Sequence, residues 1–295
     1  MQPIHLQADP VLSLTMQLGE GPFWDFYRQQ LFFLDINARQ LHYYRPKSEQ
    51  HGFYQLKRMP TALAMQQDHS LLVALEDRLA RFVPETGQVT TLWELDVDAR
   101  QVRTNDARVG PDGAYYLGTM DRKQKRPVAA LYRVVYGGQS SCLLHDQIIV
   151  NGPTWSIDGQ TMYYTDTPTR RVQAYDFEST TGTISSPRTL VEVAEGNGAP
   201  DGMTIDVEGH LWVAHHGAGC VARYHGTTGE MLAKVSVAAP NVSSCTFGGE
   251  DYSTLYITTA REGLSDEQLK QSPMSGSLFA VSPPWHGQAT YSFGY

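Results

Sequence analysis

A chain of 295 residues with 23 Lys plus Arg against 31 Asp plus Glu carries a formal net charge of −8. That balance excludes binding nucleic acid over the whole surface, because phosphate neutralisation needs a basic face, and it disfavours docking on anionic membrane. At 41% apolar residues the chain can build a core, which excludes disorder, and its 26 Gly, 16 Pro and 16 Tyr suit short strands and tight turns better than long helices.

No apolar run approaches the length of a bilayer span. The opening MQPIHLQADP has neither the basic nor the apolar region of a signal peptide, so the expected location is the cytoplasm. Cys142, Cys220 and Cys245 form no C-x-x-C pair and read as three small buried hydrophobes in a reducing compartment.

In chain order, short apolar strands follow turns at Leu31-Phe32-Phe33-Leu34, Leu71-Leu72-Val73-Ala74, Tyr115-Tyr116-Leu117, Met162-Tyr163-Tyr164, Leu211-Trp212-Val213 and Leu255-Tyr256-Ile257. Their starts, 31, 71, 115, 162, 211 and 255, differ by 40, 44, 47, 49 and 44. A further strand follows most of them, such as Leu41-His42-Tyr43-Tyr44 or Val221-Ala222-Arg223-Tyr224. Six units with a period in the forties predict an all-β, six-bladed β-propeller spanning residues 1–295 as a single domain. Trp24, Trp155 and Trp212 recur near these strands and read as packing between blades. The segments near Ile4–Leu14 and Ala289–Tyr295 compete to supply the last outer strand of the terminal blade.

The repeated apolar strand is read as the one lining the central channel. Residues entering it from different blades then meet at one channel mouth. Glu20 precedes its strand by 11 residues, Asn151 by 11 and Asp201 by 10. Arg103 and Asn105 precede theirs by 12 and 10, and Ser243 and Ser244 by 12 and 11. Two carboxylates, amides and a guanidinium thus converge. Buried carboxylates need a counter-charge. Either Arg103 supplies it, as a polar plug, or a hard divalent cation does; oxygen-only donors suit Ca²⁺, Mg²⁺ or Mn²⁺, with zinc and iron as alternatives.

The sequence resembles the regucalcin/gluconolactonase family of six-bladed propellers, which includes sugar lactonases. The likeness is carried by Leu18-Gly19-Glu20-Gly21-Pro22-Phe23-Trp24, Arg103-Thr104-Asn105-Asp106, Gly118-Thr119-Met120-Asp121, Asn151-Gly152-Pro153-Thr154-Trp155, Pro200-Asp201-Gly202-Met203 and Cys245-Thr246-Phe247-Gly248-Gly249, in that order along the chain. The resemblance implies one divalent metal ion held by Glu20, Asn151 and Asp201. It implies substrate contacts from Arg103, Asn105 and Asp121. The sequence departs from the family at His215-His216, where many relatives carry a bulky apolar or aromatic residue followed by Gly. That pair reads as a strand end making ordinary hydrogen bonds.

The expected activity is metal-dependent opening of a small sugar lactone to an aldonic acid. Asp201 is the expected ligand and general base, while Arg103 and Asn105 hold the sugar. Two other readings stand beside it: a calcium-binding regulatory propeller without turnover, and a hydrolase of other lactones or organophosphates. No G-x-S-x-G elbow, H-E-x-x-H helix or P-loop offers a competing chemistry.

Overall fold

The structure is a computed structural model and describes residues 2–294. Six antiparallel sheets follow one another along the chain and close into a six-bladed β-propeller. Their innermost strands are Gly19–Asp25, Pro60–Met65, Val102–Val109, Val150–Trp155, Ala199–Ile205 and Val242–Gly248. The second strands are Gln30–Asp35, Leu71–Leu75, Tyr115–Asp121, Thr161–Asp166, Leu211–His216 and Thr254–Thr259. These are the apolar strands that the repeat spacing picks out. They therefore sit one place further from the axis than expected, and the candidate site residues belong to the strands before them.

The reason lies in burial. Leu31, Phe32, Phe33 and Leu34 are all fully enclosed, because each second strand is sandwiched between two neighbouring blades. Continuous apolar runs result where simple alternation would mark a one-sided sheet. The inner strands face a polar channel on their open edge, so they carry Glu, Asn, Arg, Asp and Ser among Gly and Pro. The outer strands, such as Gln88–Glu94, are largely exposed.

The core is divided into six clusters, one at each blade interface. The tryptophans pack between blades, as their recurrence suggests. Trp24 of blade 1 stacks on Tyr256 of blade 6, Trp155 meets Tyr116 edge-on, and Trp212 meets Phe247 at 90°. Cys220 and Cys245 are buried and Cys142 is exposed, on the outer strand of blade 3, so only two of the three cysteines behave as core residues.

The N-terminal segment closes the ring. Asp9–Leu12 pairs antiparallel with Leu278–Val281 as the outer strand of blade 6, and Ile4–Gln7 adds a parallel fifth strand to blade 5. The seam between blades 6 and 1 is further tied by Ser243, whose hydroxyl donates to the Gly19 carbonyl, and by Met16 N–H donating to Gly276 O at 3.1 Å. The C-terminal segment does not compete for that place. It crosses the far end of the channel, with a bridge from Gly287 to Asp206 of blade 5 and from Phe293 to Gln66 of blade 2. Met1 and Tyr295, the outermost residues of the two segments, lie outside the described residues. No described helix is long and apolar enough to cross a membrane.

Removing residues 1–13 deletes the outer strand of blade 6 and the added strand of blade 5 together. A thermal melt of that truncation should show one transition with Tm lowered by roughly 10 °C or more, since each kcal/mol moves Tm by about 2–4 °C in a chain of this size. A melt superimposable on that of the full chain contradicts this closure.

Candidate functional site

Each innermost strand carries one extra residue against its neighbour. The register slips between Glu20 and Phe23, Pro60 and Ala62, Thr104 and Ala107, Asn151 and Thr154, Pro200 and Met203, and Val242 and Ser244. A bulge bends the strand and re-aims a side chain. In this ring it recurs at the same mouth of the channel in every blade. The Gly-Pro pairs after Glu20 and Asn151 now have a cause. Gly21 and Gly152 occupy φ of +52° and +62°, a region costly for other residues, and the following proline is tolerated because the ladder is interrupted there.

The bulges gather Glu20, Arg103, Asn105, Asn151 and Asp201 around a cleft of about 110 Å³. Leu18, Met120 and Ile149 form its apolar flank, and Gln124, Thr167, His216 and Glu262 complete its rim. Two larger cavities, of about 360 and 450 Å³, open elsewhere and contain none of the converging residues.

A hydrogen-bonded chain runs across the floor. The Arg103 Nη1 donates to Thr104 O and to Asn105 Oδ1, each at 2.8 Å. The Asn105 Nδ2 donates to Val150 O at 3.0 Å and to Asn151 Oδ1 at 2.6 Å. The Asn151 Nδ2 donates to Thr167 Oγ1 at 2.9 Å, and that hydroxyl donates to Pro200 O at 2.9 Å. The order of partners fixes the amide of Asn151 with its oxygen towards Asn105 and one oxygen lone pair to spare. Asn105 spends both of its amide hydrogens inside the protein. It keeps only acceptor capacity for a ligand.

The two carboxylates are left without a cation. Glu20 Oε2 accepts from its neighbour Gly21 N–H at 3.0 Å. Burial, reinforced by the Asp106 charge, pushes the Glu20 carboxyl up to about 8. Burial also raises Asp201 well above the carboxylate range, with Glu20 and Asp106 adding to it. The Arg103 charge favours the ionised form of both, but among the described residues it makes no ion pair with either, and its Nη1 is turned to Thr104 and Asn105. Desolvation lowers Arg103 itself to about 10. The polar plug exists, but it is Arg108. Its guanidinium, deeper in the channel, donates to Thr154 Oγ1, Thr204 Oγ1 and Met203 O. Asp106 lies beside it and accepts Gly152 N–H at 2.7 Å.

Asp121 stands apart from this group. Its carboxylate is held by Arg126 Nη2 at 2.8 Å and by the Lys125 and Arg126 backbone N–H groups, which keep it well below the usual carboxylate range. Asp35 and Asp166, each four residues after Leu31 and Met162, collect the backbone N–H groups of Gln17 and Leu18 and of Ile148 and Ile149, whereas Asp121, six residues after Tyr115, anchors the loop that follows it. Asp121 is thus a turn anchor, fully buried and absent from the cleft lining. His215 makes ordinary hydrogen bonds, to Asn197 O at 2.9 Å and to Tyr224 Oη at 3.0 Å. His216 is at the cleft. Thr167, Asp106 and Arg108 carried no repeat signal that spacing alone could expose, apart from the place of Asp106 beside Asn105.

The donor set suits a hard divalent cation. Two buried carboxylates and one oriented amide oxygen offer oxygen only, and among the described residues neither carboxylate is held in an ion pair. Among the described residues no three His, Cys, Asp or Glu side chains form a metal-binding group, so the candidate set is two carboxylates and the Asn151 amide.

A propeller with an acidic, amide-lined channel mouth defines a class, and comparison with known proteins supplies the family. Residues 18–261 match the family described as SMP-30/Gluconolactonase/LRE-like region, and the chain belongs to it. It is 31% identical to a regucalcin of Xenopus laevis, over 94% of each chain. It is 32% identical to the putative sugar lactone lactonase YvrE of Bacillus subtilis (strain 168), over 90% of each. The crystal structure of regucalcin from Agrobacterium tumefaciens str. C58, described as a calcium-binding protein, superposes with a TM-score of 0.94 at 30% identity and covers both chains completely.

The raised carboxyls make a signed prediction for protein kept in chelator. A carboxyl with a folded pKa near 8 holds its proton where the unfolded chain, at 4.5, has lost it. The folded state therefore binds more protons across that window, and stability falls as pH rises from about 5 to about 8. The Tm in chelator should drop over that range, and Glu20→Gln should flatten the slope. A Tm that rises from pH 5 to pH 8 contradicts the assignment.

Proposed function

We propose that this protein is a divalent-cation-dependent hydrolase that opens a sugar lactone to the aldonic acid. The observation that carries the reading is the pair of buried carboxylates, Glu20 and Asp201, standing without a counter-ion beside an oriented Asn151 and a cleft-facing Arg103. Family membership and the relative named a putative sugar lactone lactonase support the substrate class.

Glu20, Asn151 and Asp201 would hold the cation. Bound there, it would act as a Lewis acid on the lactone carbonyl. Asp201 takes a proton from the attacking water as the new C–O bond forms at the carbonyl carbon. The same carboxyl returns that proton to the ring oxygen as the acyl–oxygen bond breaks, which balances the hydrolysis as lactone plus water to hydroxy acid. Arg103 has Nη2 and Nε left for the sugar after its Nη1 is spent on Thr104 and Asn105. Asn105 acts chiefly by orienting Asn151 and offers the sugar an acceptor only. Asp121 is given no substrate role, because it is fully buried and does not line the cleft.

A second reading, a calcium-binding protein without turnover, is favoured by the description of the Agrobacterium tumefaciens relative. It needs the ligands but leaves the cleft-facing guanidinium of Arg103 unexplained.

Acid release from a panel of aldonolactones, with and without chelator, separates the two readings. Asp201→Ala should lower kcat by at least about 100-fold, the span of a lost general base, while its circular dichroism stays native. Glu20→Ala should regain part of its activity in excess metal. Near-native turnover by Asp201→Ala contradicts the mechanism, and chelator-insensitive turnover contradicts the metal.

Arg103→Ala should spare cation affinity and lower kcat/KM on hydroxylated lactones by roughly ten- to over a hundredfold. Asn105→Ala should instead weaken cation binding through Asn151, as titration calorimetry would show. Unchanged cation affinity in Asn105→Ala would remove that orienting role.

A further inference from the structure

We infer that His216 is a substrate-contacting residue that reads a hydroxyl of the lactone away from the reacting carbonyl. The inference rests on the lactonase reading above and concerns selectivity within it.

The argument starts from the rung that His216 occupies. In the second strand it pairs with Ala199, one rung beyond the pair Pro200–His215, and His215 holds the rung taken by Asp35, Asp166 and Thr259 in blades 1, 4 and 6. Those residues have structural work. The aspartates gather backbone N–H groups, and the Thr259 hydroxyl donates to Ser277 O at 2.7 Å. In blade 5 that work falls to His215, and His216 lies one residue past the anchor. His215 ties down the incoming loop at the Asn197 carbonyl and is itself braced by Tyr224. The loop ends on Gly198, at φ +73°, packed so close under the His216 carbonyl that a Cβ there would lie 2.6 Å from the oxygen. His216 is thereby released from anchoring.

The released residue faces the cleft together with Asp201 and Glu262. Among the described residues, neither ring nitrogen of His216 has a hydrogen-bond partner. A half-buried imidazole without partners loses hydration and recovers nothing for it. A hydroxyl is its natural complement, because neutral imidazole offers one donor and one acceptor and a hydroxyl offers the same. Arg103 enters the cleft from blade 3 and His216 from blade 5, so a sugar ring held by both is pinned from two directions. The reaction itself asks nothing of His216.

The test compares the wild-type protein with His216→Ala, His216→Phe and His216→Gln. Each is assayed on an aldonolactone and on its deoxy analogues, one hydroxyl missing at a time, with cation affinity measured by calorimetry. His216→Ala and His216→Phe should lose about three- to tenfold in kcat/KM on the full lactone, mostly through KM. The loss should vanish on one particular deoxy analogue, and His216→Gln should recover part of it. Cation affinity should not change.

An equal loss on every analogue, or a loss of cation affinity, overturns the inference while the lactonase reading stands. No turnover by the wild-type protein on any lactone sinks that reading instead. Binding of the matching lactam, which resists hydrolysis, then still decides the contact. Weaker binding by His216→Ala supports it, and equal or absent binding by both proteins overturns it.

Discussion

Ring closure is the constraint from which the rest of the molecule follows. Blade 6 draws three strands from the C-terminal part of the chain and its outer strand, Asp9–Leu12, from the N-terminal part. That pairing holds blade 6 against blade 1, where Trp24 stacks on Tyr256 and Ser243 reaches Gly19. Glu20 lies one residue beyond Gly19 on the same strand. The position of one candidate ligand is thus tied to the seam, and its distance to Asp201 depends on four blade interfaces along one arc of the ring and two along the other. No single blade contains the site; it exists only in the closed ring.

The ring then solves a problem of its own making. A channel lined by six strand edges must be filled, and at different depths it is filled differently. The C-terminal segment covers the far end, where Phe293 packs with the core of blades 2 and 3. Arg108 spans the middle, bonded to blades 4 and 5, with Asp106 beside it. The mouth is left with an excess of negative charge. Burial raises the proton affinity of Glu20 and of Asp201, and the Asp106 charge adds to both. Such a pair is costly in a purely structural role and useful in a site that admits a cation.

Much of this was legible in the sequence. The period in the forties gave the propeller because second strands are buried on both faces and so read as uniform apolar runs. Counting back from them located Glu20, Arg103, Asn105, Asn151 and Asp201, since every blade places its bulge at one level. The same counting misjudged which strand was innermost, because polar, Gly- and Pro-marked strands do not show an apolar pattern. Asp121 illustrates a second limit. A motif places a carboxylate near a site, but only the fold shows that Arg126 and two backbone N–H groups already hold it. Asn105 illustrates a third: its residue type promises donors, while its neighbours decide that both are spent. The exposed Cys142 and the middle plug Arg108 depend on contacts between strands far apart in the chain, which no local spacing reveals.

The central claim is the proposal that Glu20 and Asp201 are buried together because a divalent cation binds between them and Asn151, displacing the protons that burial favours. Calorimetric titration of Ca²⁺, Mg²⁺ and Mn²⁺ into chelator-stripped protein tests it most directly, with the Glu20→Gln, Asp201→Asn double variant alongside. The account predicts one cation per chain for the wild-type protein and none for the double variant, whose metal-free form should melt higher than the metal-free wild type at pH 8. A wild-type protein that binds no divalent cation, or a double variant that binds one as tightly, would contradict it.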